Sequence, residues 1–160
     1  MTRTVVYPGT FDPVTYGHLD IIKRISKLYD KVYVAVAHSK EKGPLFSVED
    51  RVKMLEEAVS DHKNVEVTDF DGLVVDYAVK KSVRVVVRGL RMISDFEYEF
   101  QMALTNRKLT PEIETVFMMP SESYSYLSSK LIKEIVGLGA DISSFVPGNV
   151  EKRMKEKLKK

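Results

Sequence analysis

Short runs of apolar, mostly β-branched residues recur along the chain: Thr4 to Tyr7, Val32 to Ala37, Val65 to Thr68, Val83 to Val87 and Thr115 to Met119. Runs that are apolar at successive positions predict strands covered on both faces, as in a parallel sheet. Between them the period lengthens to that of a helix, over His18 to Leu28, Val48 to Val59, Leu73 to Lys80 and Asp95 to Leu109, with Ile21, Ile22, Ile25 and Leu28 forming one apolar stripe. A further helix is predicted over Ser128 to Leu138, stopping at Gly137 or Gly139, and Pro147 opens a terminal one. Ser47 with Asp50, and Ser94 with Glu97, have the spacing of capping boxes at two of the helix starts.

Strand followed by helix, repeated along the chain, predicts an α/β fold: a Rossmann-like, doubly wound, five-stranded parallel sheet in a single domain spanning residues 1 to 160. Ligands of such sheets bind at the carboxyl ends of the strands. The residues that follow each strand are therefore the first place to look for chemistry.

Composition narrows the field. Lys and Arg number 25 against 23 Asp and Glu, so no strong overall field draws nucleic acid or a membrane surface, and any polyanion site must be local. The absence of cysteine excludes disulfides, thiolate zinc sites and cysteine nucleophiles, and fits a cytoplasmic location. No leader-like or membrane-spanning apolar stretch is visible, and neither a P-loop, a zinc-protease motif nor a nucleophile elbow occurs.

After the first strand comes Tyr7-Pro8-Gly9-Thr10-Phe11-Asp12-Pro13-Val14-Thr15-Tyr16-Gly17-His18, a stiff turn delivering a histidine to a helix start. Backbone N–H groups at a helix start, glycines that permit close approach, a threonine hydroxyl and an imidazole suit a phosphate; an ordinary structural turn with a surface histidine is the alternative. Beyond the second strand, Lys42 lies in a polar Lys/Glu/Gly loop, where solvation is the simpler reading, and His38 has no assigned role. Leu73 and Val74 begin the helix after the third strand, as core or as the lining of an apolar slot. Arg88-Gly89-Leu90-Arg91 ends the fourth strand, where two permanently charged forks suit phosphate unless Asp95 or Glu97 pairs with them. Phe96, Tyr98, Phe100, Met102 and Leu104 leave the next helix little polar face, which points to contact with another subunit. The serine-rich segment Pro120 to Lys130 presents hydroxyls and N–H groups at one more helix start, for caps or for a nucleotide.

Thr15-Tyr16-Gly17-His18 after Tyr7-Pro8-Gly9-Thr10-Phe11-Asp12-Pro13 resembles the H/T-x-G-H signature of the nucleotidyltransferase superfamily, and the likeness to the bacterial phosphopantetheine adenylyltransferases extends over nearly the whole chain, through the Lys42 loop, Arg88-Gly89-Leu90-Arg91, Asp95-Phe96-Glu97-Tyr98-Glu99 and Ser125-Tyr126-Leu127-Ser128-Ser129-Lys130. That resemblance implies transfer of the adenylyl group of ATP to 4′-phosphopantetheine by a homohexamer, with Mg²⁺ accompanying ATP and no dedicated protein metal ligand. It assigns His18, Thr10, Lys42 and Arg91 to catalysis. It carries ATP binding over to Thr10, Phe11, His18, Gly89, Leu90, Arg91, Glu99, Tyr124, Ser125, Tyr126, Leu127, Ser128, Ser129 and Lys130, and acceptor binding to Thr10, Lys42, Val74 and Arg88. A cytidylyltransferase, a nicotinamide-mononucleotide adenylyltransferase and a non-catalytic adenine-nucleotide sensor are the competing expectations.

Overall fold

In the computed structural model, which describes residues 1–38 and 43–158, β1 (Thr4–Gly9), β2 (Lys31–Ala37), β3 (Val65–Phe70), β4 (Val85–Gly89) and β5 (Glu114–Met118) pair in parallel in the order β3-β2-β1-β4-β5. Helices α1 (Tyr16–Leu28), α2 (Val48–Ala58), α3 (Val74–Lys80) and α4 (Ile93–Leu109) make the crossovers, and α5 (Ser129–Gly137) and α6 (Gly148–Leu158) follow β5. The chain winds outward from β1 to β3, then returns to the other side of β1 to place β4. The order reverses between β1 and β4, so a crevice opens outside their carboxyl ends.

Successive strand side chains point to opposite faces, and here both faces are covered. Val5, Tyr7, Val32, Val34, Val36 and Val87 pack into the larger core with Ile22, Ile25, Met54, Leu55, Ile132, Val150 and Met154 from α1, α2, α5 and α6. Val6, Ala35 and Val86 face the other way, against Val75, Tyr77 and Ala78 of α3. Each such Val or Ile removed from water contributes roughly 1.5–3 kcal/mol before entropy is counted. Helix α4 takes little part: Glu99 and Asn106 are its buried residues, whereas Ile93, Phe96, Tyr98, Phe100 and Leu104 are exposed.

Three sequence expectations need correction. Helix α1 starts before His18, because Thr15 supplies the cap: its hydroxyl accepts from the His18 N–H at 3.4 Å, and the His18 Nδ1 accepts from the Thr15 N–H at 3.0 Å. At α4 the Ser94–Glu97 box does not form; Asp95 accepts from the N–H groups of Arg91 and Met92 and starts the helix earlier. A carboxylate one residue past the expected hydroxyl thus takes the capping role. Leu28 ends the α1 stripe in solvent, 55% exposed, since α1 stops there. Pro147 opens α6 as expected, its carbonyl accepting from Val150 and Glu151. Ser47 does cap α2, accepting from Asp50 N at 3.1 Å.

Candidate active site

Two cavities open at the carboxyl edge of the sheet and share Pro8, Gly9, Thr10, Arg88 and Glu99. The first, about 350 Å³, lies between the loop after β1, the start of α1 and the segment leading into α5. The second, about 290 Å³, lies between β2, β3, the start of α3 and the inner side of α4. Their common wall is the crossing point of β1 and β4, where Thr10 is exposed and Arg88 and Glu99 meet.

His18 faces the first cavity with a defined tautomer. Its Nδ1 is held as the acceptor of the Thr15 N–H, so the neutral ring carries its proton on Nε2 and can donate it to a bound anion. Shelter from solvent, and then the charges of Arg91 and Arg88, push its pKa down to about 3. The Phe11 ring buttresses it edge-on at 4.9 Å, and Phe11 in turn meets Tyr7 at 5.5 Å. Phe11 adopts a φ of 50°, a conformation uncommon for a bulky residue and held here by this aromatic packing. Gly9 makes room for it, since a Cβ there would lie 3.0 Å from the Phe11 ring.

Arg88 is fixed by three bonds. Its Nε and Nη2 donate to the Glu99 carboxylate at 2.8 and 2.6 Å, and its Nη1 donates to the Pro8 carbonyl at 2.9 Å. Burial alone would lower its pKa, but the hydrogen bonds and charge of Glu99 outweigh that and hold it above its usual value. Of the pairings considered for the two arginines, Asp95 takes Arg91, with contacts at 3.4 Å, while Glu99 rather than Glu97 takes Arg88. The Arg91 Nη1 also donates to the Leu127 carbonyl at 2.7 Å, joining the β4 end to the serine-rich segment. Burial pushes the Tyr7 phenol, in the same cavity wall, far above its usual pKa despite the opposing charges of Arg88 and Arg91.

Thr10, Phe11, His18, Gly89, Arg91, Glu99, Leu127, Ser128, Ser129 and Lys130 all line the first cavity, so these ten residues, scattered in sequence, are brought together. The two serine hydroxyls are engaged: Ser128 caps α5 by accepting from Leu131 N at 3.1 Å, and Ser129 donates to the Pro13 carbonyl at 2.7 Å. Leu90, Tyr124, Ser125 and Tyr126 do not line it; Tyr124 packs near Tyr16, and Tyr126 lies edge-on to Phe145. Val74, with Leu73, lines the second cavity, whose wall is otherwise mainly apolar through Ala37, Phe70, Met102 and Ala103. Lys42 lies outside the described residues. His38 turns to Asp69, 2.6 Å away.

Several residues at this edge have no place in the site as the sequence alone reads. Thr15 could have been found as a capping box with histidine in the carboxylate's place. Asn106 and Tyr98, on the second cavity, sit on the α4 face that the pattern left ambiguous. Asp12 and Lys133 pair at 3.1 Å across 121 positions, and no local signal announces such a contact.

A family model described as cytidylyltransferase-like matches residues 6–135. A phosphopantetheine adenylyltransferase of Caldanaerobacter subterraneus subsp. tengcongensis is 56% identical over 158 residues, covering 99% of each chain. One from Thermodesulfovibrio yellowstonii is 53% identical over 161 residues, covering both chains fully. Among solved structures, a Vibrio parahaemolyticus protein provisionally assigned as a nicotinate-nucleotide adenylyltransferase superposes with a TM-score of 0.69 over 96% of this chain and 99% of its own, at 18% identity, which speaks for the fold alone. With the family model covering most of the chain, and with relatives above half identity along its whole length, the chain belongs to the phosphopantetheine adenylyltransferase family of nucleotidyltransferases.

Proposed function

We propose that the chain transfers the adenylyl group of ATP to 4′-phosphopantetheine, giving dephospho-coenzyme A and pyrophosphate, without a covalent enzyme intermediate. The observation that carries this reading is the pair of cavities meeting at Thr10, Arg88 and Glu99, the first also lined by the phosphate-suited His18, Arg91, Ser128, Ser129 and Lys130, the second more apolar. ATP occupies the first and the acceptor's uncharged arm the second, past Val74, so their phosphates meet at the shared wall. An acceptor phosphate oxygen attacks the α-phosphorus, the bond to the β-phosphate breaks, and pyrophosphate leaves with that electron pair. The nucleophile is already an anion, so catalysis reduces to alignment and charge stabilisation.

In this scheme the Nε2–H of His18 donates to the transferring phosphoryl group, Thr10 and Lys42 orient the acceptor phosphate, Arg88 binds that phosphate, and Arg91 neutralises the ATP phosphates. Glu99 keeps Arg88 pointed at the junction. Among the described residues no group of three or more His, Cys, Asp or Glu could hold a metal ion. Mg²⁺ would accompany ATP through the phosphate oxygens and supply charge shielding there, and no step here passes through a protein-held ion. A homohexamer and a cytoplasmic location belong to the same reading; the exposed apolar residues of α4 support the first. No helix among the described residues is long and apolar enough to cross a membrane.

The deciding experiment supplies ATP or CTP with 4′-phosphopantetheine, glycerol 3-phosphate or nicotinamide mononucleotide and measures pyrophosphate. Release only with ATP and 4′-phosphopantetheine is expected. Turnover of another pair reassigns the acceptor, and nucleotide binding without turnover on any acceptor leaves a sensor.

A further inference from the structure

Arg51, at the start of α2, is 1% exposed, the most deeply buried charged residue among those described. Its Nη1 donates to two carbonyls at once, Thr10 at 2.8 Å and Ala37 at 3.0 Å. Its Nε donates to Phe46 at 3.1 Å and Ser47 at 3.3 Å. Every hydrogen-bond partner it has among the described residues is a main-chain carbonyl. Burial depresses its pKa, and the charges of Asp12 and Glu49 only partly offset this.

Asp12 makes the complementary attachment. It is 3% exposed, accepts from the N–H groups of Leu45 at 2.8 Å and Phe46 at 2.9 Å, and receives Lys133 of α5 at 3.1 Å. The loop after β1 is thus fastened at Thr10 and Asp12 to three separate elements: the end of β2, the start of α2, and α5.

Removing a guanidinium from water is costly, and carbonyl dipoles compensate a charge less fully than a carboxylate does. A packed aliphatic residue at position 51 would serve the core at lower cost. What it would not do is tie the carbonyl just after β1 and the one that ends β2 to a single nitrogen. Only the planar, many-donor fork of arginine reaches four carbonyls in fixed directions; an ammonium is a point with three donors.

We propose that Arg51 and Asp12 are positioning residues, which set the place of Thr10 at the junction of the two cavities by locking the loop after β1 to β2, α2 and α5. Arg51 lines neither cavity, Asp12 lies almost wholly buried at the edge of the first, and both act through Thr10. The proposal rests on the reading of Thr10 as a ligand of the acceptor phosphate, and its test separates the two.

The test compares the parent with Arg51→Lys, Thr10→Val and the double variant in steady-state turnover of ATP with 4′-phosphopantetheine, alongside circular dichroism and thermal unfolding. Arg51→Lys is expected to lower kcat at least ~10-fold while each KM stays within ~3-fold and the folded signal is kept, and the double variant to be no slower than Thr10→Val by more than ~2-fold. A kcat within ~2-fold of the parent, or losses that multiply in the double variant, would overturn the proposal. Should Arg51→Lys not fold, Asp12→Asn, which leaves Arg51 in place and removes a charged acceptor from Leu45 and Phe46, is judged by the same criteria. Should the parent itself make no dephospho-coenzyme A, the functional reading fails and amide hydrogen exchange decides the lock: exchange at Leu45 and Phe46 accelerated at least ~10-fold in Arg51→Lys supports it, and unchanged exchange overturns it.

Discussion

Arg88 and Glu99 hold each other through two hydrogen bonds, at 2.8 and 2.6 Å, on the wall that both cavities share. The pair holds the guanidinium charged and in one orientation, so a phosphate bound as proposed would meet a donor already aimed. Replacing Arg88 by alanine should raise the KM for 4′-phosphopantetheine at least ~10-fold with the ATP KM within ~3-fold. Competition binding with pantetheine lacking its phosphate checks the cause: that ligand should bind parent and variant alike.

His18 lines the first cavity with its Nδ1 engaged by the Thr15 N–H, which leaves the neutral ring's proton on Nε2. His18→Ala is expected to reduce turnover by at least ~10²-fold while ATP affinity changes only a few-fold, the scale of losing a transition-state donor. Calorimetric ATP binding together with single-turnover kinetics separates the two quantities, and near-normal turnover would refute the assignment.

The depressed pKa of His18 also bears on stability. Unfolded, the ring takes up a proton near 6.5; folded, only near 3. Between those values the unfolded chain binds more protons, so acidification through this window favours unfolding. In His18→Gln the loss of stability from about pH 6.5 downward should be shallower than in the parent, as read from urea unfolding at a series of pH values. Bound polyphosphate should oppose the effect by favouring the charged ring.

Gly89 ends β4 against Ile21 of α1, and a Cβ there would stand 2.7 Å from the Ile21 Cδ1. Gly89→Ala should therefore cost about 1–3 kcal/mol by overpacking. Ile21→Val removes that methyl and alone should cost about 0.5–1.5 kcal/mol. Made together they should cost less than the sum, and denaturant unfolding of the four proteins gives the coupling.

Much of the fold was legible because its elements are local statements. The five apolar runs became the five strands, though β4 begins at Val85 because Val83 is buried beside a turn in which Ser82 has a φ of 56°. Helix ends were less legible: both the Thr15–His18 box and the Asp95 carboxylate at α4 use side chains outside the usual hydroxyl-then-glutamate pattern. In sequence the serine-rich segment suits both caps and nucleotide ligands, and Ser128 does cap while lining the cavity.

Order along the chain determined that this is an alternating α/β protein, and residue types determined that Thr10, His18, Arg88 and Arg91 could serve phosphate, since strand pattern and donor chemistry are properties of neighbouring residues. Strand order was decided only in three dimensions: bringing β4 beside β1 is a matter of which faces bury best against which helices, and it alone makes one site of residues almost 80 positions apart. The same is true of partners. A guanidinium at position 88 carries no mark of choosing Glu99 over Glu97, nor one at position 51 of choosing the Thr10 carbonyl, because such choices depend on distance and burial after the chain has packed.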